Sequence, residues 1–168
     1  NNLLQTGNFQ PLELQEALGN LFWGNIGGCI GETSAAALLL GAILLWYKHV
    51  IGFKVPFCYI ATVFILYWLF NGTGGYFSSE AFIVPVFQVF SGGLMLGALY
   101  MATDMVTSPI TPMGKILFGC GCGVLTFIIR KFGGYPEGVS YSILLMNLVA
   151  PLLDRYTRPR ILGKKKTS

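Results

Sequence analysis

Charged residues divide this chain into long apolar runs. Fifteen uncharged residues lie between Glu32 and Lys48, 25 between Lys54 and Glu80, and 23 between Glu80 and Asp104. Fourteen more lie between Lys115 and Arg130, and 16 between Glu137 and Asp154. A helix that crosses a membrane needs about 20 residues at about 1.5 Å each. Two runs are ample. The three short ones complete a span if Lys and Arg extend their charged heads toward the interface and the acids sit at protein-lined ends. The pattern predicts five spans, at about 33–51, 54–71, 82–103, 113–132 and 138–154. A segment 1–32 precedes them and a basic tail 155–168 follows.

The stretch Ala17–Gly31 is also uncharged but rich in Gly and Asn. A lipid-facing helix so interrupted would leave backbone groups without hydrogen bonds. We read it as an amphipathic entry followed by a re-entrant or cavity-lining segment, with a surface loop as the plainer alternative. The fold class expected is therefore all-α and polytopic.

Composition narrows the class further. The chain has 168 residues, 54% of them apolar and only 11% charged, with a mean hydropathy of +0.63. Soluble domains carry about 25% charged residues, which disfavours a water-soluble monomer and excludes a disordered chain and a collagen. Four Cys are too sparse for a disulfide scaffold. The 22 Gly suit close helix packing. Gly-xxx-Gly spacings fall at Gly24/Gly28, Gly27/Gly31, Gly93/Gly97 and Gly119/Gly123.

Orientation follows from Lys and Arg. With 1–32 outside, the inner segments hold Lys48, Lys54, Lys115, Arg155, Arg158, Arg160, Lys164, Lys165 and Lys166, whereas the outer ones hold only Arg130 and Lys131. The amino end is therefore expected outside and the carboxyl end inside. The chain opens in a polar stretch without Met, which reads as the later part of a longer polypeptide.

Few residues could carry chemistry. Cys120 and Cys122 form a C-x-C whose side chains point apart on a helix, so they cannot chelate one metal together. No metal site is expected. His49, the single histidine, sits at a span end among lysines. Three acids stand out. Glu32 opens the first span, where the helix dipole favours a carboxylate. Asp104 and Asp154 close the third and fifth spans, where the dipole opposes one, so each needs another reason, such as a salt bridge to Lys115 or to the Arg155/Arg158/Arg160 cluster, or a cation. The loop 103–115 combines hydroxyls with two prolines and reads as a polar pocket or a simple turn. Arg130 and Lys131, a basic pair on the outer side, would meet an outer anion such as a phosphate, or Glu137. P-loop, dinucleotide-fold, zinc-protease and Ser-His-Asp patterns are absent. The basic tail is too short to argue nucleic-acid binding.

Three segments carry a resemblance: GNIGGCIGETSAAALLLG around Glu32, MATDMVTSPITPMGK (101–115), and FGCGCGVLTFIIRKFGGYPEGVSYSILLMNLVAPLLDRYTRPR (118–160). Together they resemble the RnfD subunits of ion-translocating ferredoxin:NAD oxidoreductases and, more distantly, the NqrB subunits of sodium-pumping NADH:quinone reductases. The resemblance covers nearly the whole chain but only the carboxyl-terminal half of those proteins. It implies one five-helix repeat of a urea-transporter-like fold and a bacterial inner-membrane location. Other membrane and peripheral subunits and membrane lipid are the implied partners. It also implies FMN joined through its phosphate to a Thr in an S/T-x-A-T motif. That motif is missing here and is expected a few residues before Asn1. A second, non-covalent flavin such as riboflavin is implied as well. On this resemblance Asn25, Gly28, Thr33, Thr107, Arg130 and Lys131 are the flavin contacts expected in this chain. Glu32, Asp104 and Asp154 are the acids expected in ion movement.

The implied activity is electron relay between ferredoxin and NAD, coupled to Na⁺ or H⁺ translocation. Charge added inside a low dielectric is costly unless a cation approaches, which would couple the two. A passive channel for a small neutral solute and a structural anchor for a complex are the rival readings.

Overall fold

The structure, a computed structural model, describes residues 19–20, 22–24, 34–49, 51–70, 79–91, 93–104, 106–133 and 138–157. Among these residues there are helices and turns and no strand. The principal helices are α1 (Ala35–Tyr47), α2 (Lys54–Phe70), α3 (Ser79–Phe90), α4 (Leu94–Met101), α5 (Pro112–Phe132) and α6 (Gly138–Tyr156).

Local chemistry fixes the helix ends. Ser34, in an extended conformation, caps α1 by accepting from the Ala37 amide at 3.3 Å. The last turn of α1 closes when the Lys48 amide donates to the Leu44 carbonyl and the His49 amide to that of Trp46. His49 then takes a left-handed conformation, φ 55°. Thr111 caps α5 through the Gly114 amide, and Pro112 occupies the first turn, where a missing N–H costs nothing.

The stretch 82–103, expected as one continuous span, is two helical pieces. Phe82–Phe90 and Leu94–Met101 are bent by 68°. Gly93 supplies the left-handed residue at the break, φ 67°, and Pro85 interrupts the ladder of α3. Gly97–Met101 continues as π-helix. An apolar run of 23 residues reports length and not direction, so the bend was hidden in the sequence.

The core lies along α2, α5 and α6. Helix α2 buries Val55, Tyr59, Val63 and Tyr67, which recur every four residues on one face. Opposite this stripe, α5 presents Gly119 and Gly123. A Cβ at Gly119 would lie 2.8 Å from the Val55 carbonyl oxygen, and one at Gly123 would lie 2.7 Å from Thr62 Cβ. The two helices thus touch backbone to backbone, running in the same direction. Gly97 of α4 instead makes room for the Val139 side chain of α6. Helix α6 returns antiparallel to α5 and buries Val139, Ser142, Ile143, Met146 and Ala150. The outer faces are apolar too: Leu40, Leu44, Leu69, Leu144, Leu148 and Leu152 are all exposed.

Helix α5 is long and apolar enough to cross a membrane, and α3 with α4 reaches that length only as a bent pair. Helices α1 and α2 are shorter apolar helices.

Candidate functional site

Polar groups gather at three levels along α5: its first turn, its middle and its last turn. At about 1.5 Å per residue, the first and last lie about 27 Å apart.

The first level joins α5 to the end of α6. Asp154 Oδ1 accepts from the Ile110 amide at 3.0 Å, the Thr111 amide at 3.2 Å and the Thr111 hydroxyl at 3.2 Å; Oδ2 lies 3.1 Å from the Ile110 amide. Thr157 is hydrogen-bonded to the Thr111 hydroxyl and donates its own to the Leu153 carbonyl at 2.7 Å. The carboxylate is thus at the wrong end of its own helix but at the favourable, amino-terminal end of its neighbour. That supplies the compensation the sequence demanded, from donors 43 and 44 residues away.

Asp104 is exposed and bonds locally. Its Oδ1 accepts from the Val106 amide at 3.3 Å and its Oδ2 from the Thr107 hydroxyl at 3.4 Å, while its carbonyl accepts from the Ser108 amide. These bonds organise the turn after α4. Thr107 belongs to this turn and supports Asp104. Asn25, Gly28, Glu32 and Thr33 lie outside the described residues.

The middle level is a hydroxyl triad that the sequence reading missed. Tyr59, Thr126 and Ser142 come from α2, α5 and α6, and all are fully enclosed. Their oxygens are 2.6 Å (Tyr59–Thr126), 3.0 Å (Tyr59–Ser142) and 2.7 Å (Thr126–Ser142) apart. Thr126 also reaches the Cys122 carbonyl at 2.8 Å, and Ser142 the Val139 carbonyl at 2.7 Å. Three hydroxyl protons therefore serve five contacts, and no cation fits inside so small a triangle. The triad is a joint between three helices. Its only signal in the sequence was a few hydroxyls scattered through three apolar runs.

The last level is Arg130. Its Nη1 donates to the Gln88 carbonyl at 2.8 Å and its Nη2 to the Ser91 carbonyl at 3.0 Å. These oxygens belong to the end of α3, where carbonyls lose their helical donors. The Tyr67 hydroxyl lies close to the same guanidinium. The guanidinium fork thus holds the break between α3 and α4. Lys131 points elsewhere, with Nζ 4.8 Å from the Phe70 ring centre and 5.4 Å from that of Phe127. The pair of candidates is therefore split between two faces of α5.

The cysteines separate as well. Cys122 is buried, whereas Cys120 meets the Cys58 thiol of α2. Among the described residues no three His, Cys, Asp or Glu side chains converge.

Relatives give these helices a context. Residues 2–163 match the model of the NQR2, RnfD, RnfE family. The chain is 51% identical over 146 residues to the D subunit of the proton-translocating ferredoxin:NAD(+) oxidoreductase complex of Clostridium ljungdahlii, covering 87% of this chain and 43% of that protein. It is 47% identical over 149 residues to the D subunit of the Na(+)-translocating ferredoxin:NAD(+) oxidoreductase complex of Acetobacterium woodii, with 88% and 43% covered. It is 42% identical to the D subunit of the ion-translocating oxidoreductase complex of Pseudomonas aeruginosa strain UCBPP-PA14, with 88% and 42% covered. The chain thus spans less than half the length of the curated relatives it matches. With a family match over nearly its whole length and apolar helices packed on glycine, the chain belongs to the NQR2, RnfD, RnfE family.

Proposed function

We propose that this chain forms part of the membrane subunit of a redox-driven ion pump, which relays electrons between ferredoxin and NAD and couples them to Na⁺ or H⁺ translocation. The observation that carries the reading is 51% and 47% identity, over 87% and 88% of the chain, to the corresponding subunits of two such complexes. Other subunits of the complex are its partners and the bacterial inner membrane its location. The helices would form one five-helix repeat of a urea-transporter-like fold, carboxyl end inside. The rival solute channel is disfavoured because the cavity between α1, α2, α3 and α4 is lined by hydrocarbon side chains.

A flavin, when bound, would supply the one-electron chemistry that no side chain of this chain offers. The outer-side candidates fit it unequally. Both terminal nitrogens of Arg130 are committed to the Gln88 and Ser91 carbonyls, so that residue does not fit as a phosphate ligand. Lys131 is exposed, and its ammonium fits an anion at the end of α5. Asp154 and Asp104 would exchange amide and hydroxyl donors for an ion, and Asp154 has more of them to give up.

The full-length subunit tests this. After denaturing electrophoresis it should retain flavin fluorescence, and vesicles holding the complete complex should take up Na⁺ or H⁺ as ferredoxin is oxidised. A colourless subunit in a complex that moves electrons without ions would overturn the reading.

A further inference from the structure

A cavity of about 580 Å³ lies between α1, α2, α3 and α4. Leu39, Phe57, Phe64, Phe90 and Leu99 form its walls, and no residue around it carries a polar side chain. A second lobe of about 110 Å³ adjoins it, sharing Leu39, Phe53, Pro56 and Leu99, and adds Trp46 and Ile51. The lining reaches the turn between α1 and α2 at Ile51 and Phe53. This turn carries Lys48, His49 and Lys54, all exposed, and no acid lies anywhere in 48–54. At the same end, Phe53 lies against Phe57 at 5.6 Å and against Trp46 at 6.0 Å between ring centres.

Two features of this cleft select its occupant. Its main lobe offers no hydrogen bond, so a ring system with polar edges would bury them unsatisfied there. Its depth matches a leaflet. From Phe53 to Ile65, both in the lining, α2 rises about 18 Å, against about 15 Å for half of a bilayer core.

We infer that this cleft holds an acyl chain of an anionic phospholipid, whose phosphate rests at the basic turn Lys48–Lys54. The chain is thin, apolar and as long as the cleft is deep. The phosphate meets the exposed Lys48, His49 and Lys54 of a segment that itself carries no acid. Trp46 lies at the depth where indoles favour the interface. The inference rests on the membrane reading and is independent of electron transfer.

Photolabelling of the complete complex tests it. The probe is phosphatidylglycerol with a diazirine midway along one acyl chain, used in phosphatidylcholine vesicles, with the phosphatidylcholine analogue as the neutral probe. The charged probe should label peptides of α1 and α2, and the neutral probe should label them several-fold less. Lys48→Glu with Lys54→Glu, both at exposed positions, should remove the charged probe's advantage. Ala61→Phe, which fills the cavity, should lower labelling by both. Equal labelling by the two probes, indifferent to the charge reversal, would mean ordinary boundary lipid and would overturn the inference. So would an absence of label on α2 together with crosslinking of α2 to another polypeptide, which would mean that a protein segment covers the cleft. None of these outcomes depends on flavin content or ion uptake.

Discussion

At the scale of single residues, two charged groups in this apolar bundle answer a backbone need. Asp154 answers the open amides before α5, and Arg130 the open carbonyls after α3. Substitutions at Asp154 separate support from ion carriage. Asn retains one acceptor oxygen for the Ile110 and Thr111 amides, whereas Ala retains none. Asp154→Ala should cost about 1.5–3 kcal/mol, as for hydrogen bonds to a charged group, and Asp154→Asn clearly less. Unfolding of the full-length subunit in detergent measures both. Equal loss of ion uptake in the two variants, with the Asn variant stable, would instead assign the carboxylate to the ion path. In the triad, Tyr59→Phe removes one proton from a set with more acceptors than donors. It should cost only about 0.5–1.5 kcal/mol by the same measurement. Very little of this was visible in the sequence. It showed that Asp154 stood where its own helix dipole opposed it, but the remedy came from residues more than 40 positions away. Tyr59, Thr126 and Ser142 gave no sign of meeting until three helices had chosen their faces.

At the scale of helices, glycine decides which surfaces touch. The Gly119/Gly123 pair was legible as a spacing, and the structure shows what it admits: the Val55 and Tyr59 carbonyls and the Cys58 and Thr62 side chains of α2. Gly119→Ala must push backbone against backbone. It should destabilise the protein by about 1–3 kcal/mol. Gly121→Ala is the internal control, because its Cβ would meet only the movable end of Met146. Thermal unfolding in detergent should rank Gly119→Ala well below Gly121→Ala; equal midpoints would contradict the packing described. The helical class itself followed from uncharged runs too long and too apolar for anything else. The bend between α3 and α4 did not, because Gly92, Gly93 and Pro85 permit a break in a span without dictating one.

At the scale of the whole molecule, the distribution of charge predicts how the bundle sits. Phe132 and Tyr156 are exposed at opposite ends of the α5–α6 pair, at 77% and 81% accessibility. With the basic tail inside, a cysteine at position 132 should react with a membrane-impermeant maleimide in intact cells. One at 156 should react only after the membrane is opened. The reverse pattern would invert the topology. The exposed apolar faces and the coverage of less than half of each relative fit a piece that is surrounded on several sides in the intact protein.

The contact between Asp154 and the residues before α5 has a mechanical consequence. Helices α5 and α6 are joined by a short connection at one end, and the carboxylate latches them at the other. The segment from Ile110 to Thr157 is therefore a closed frame, not a pair of free arms. The strip from Asp104 to Thr111 cannot swing as an independent flap, since its far end is tied to both bars of that frame. Arg130 of the same frame grips the Gln88 and Ser91 carbonyls beside Gly93, so the frame braces that bend as well.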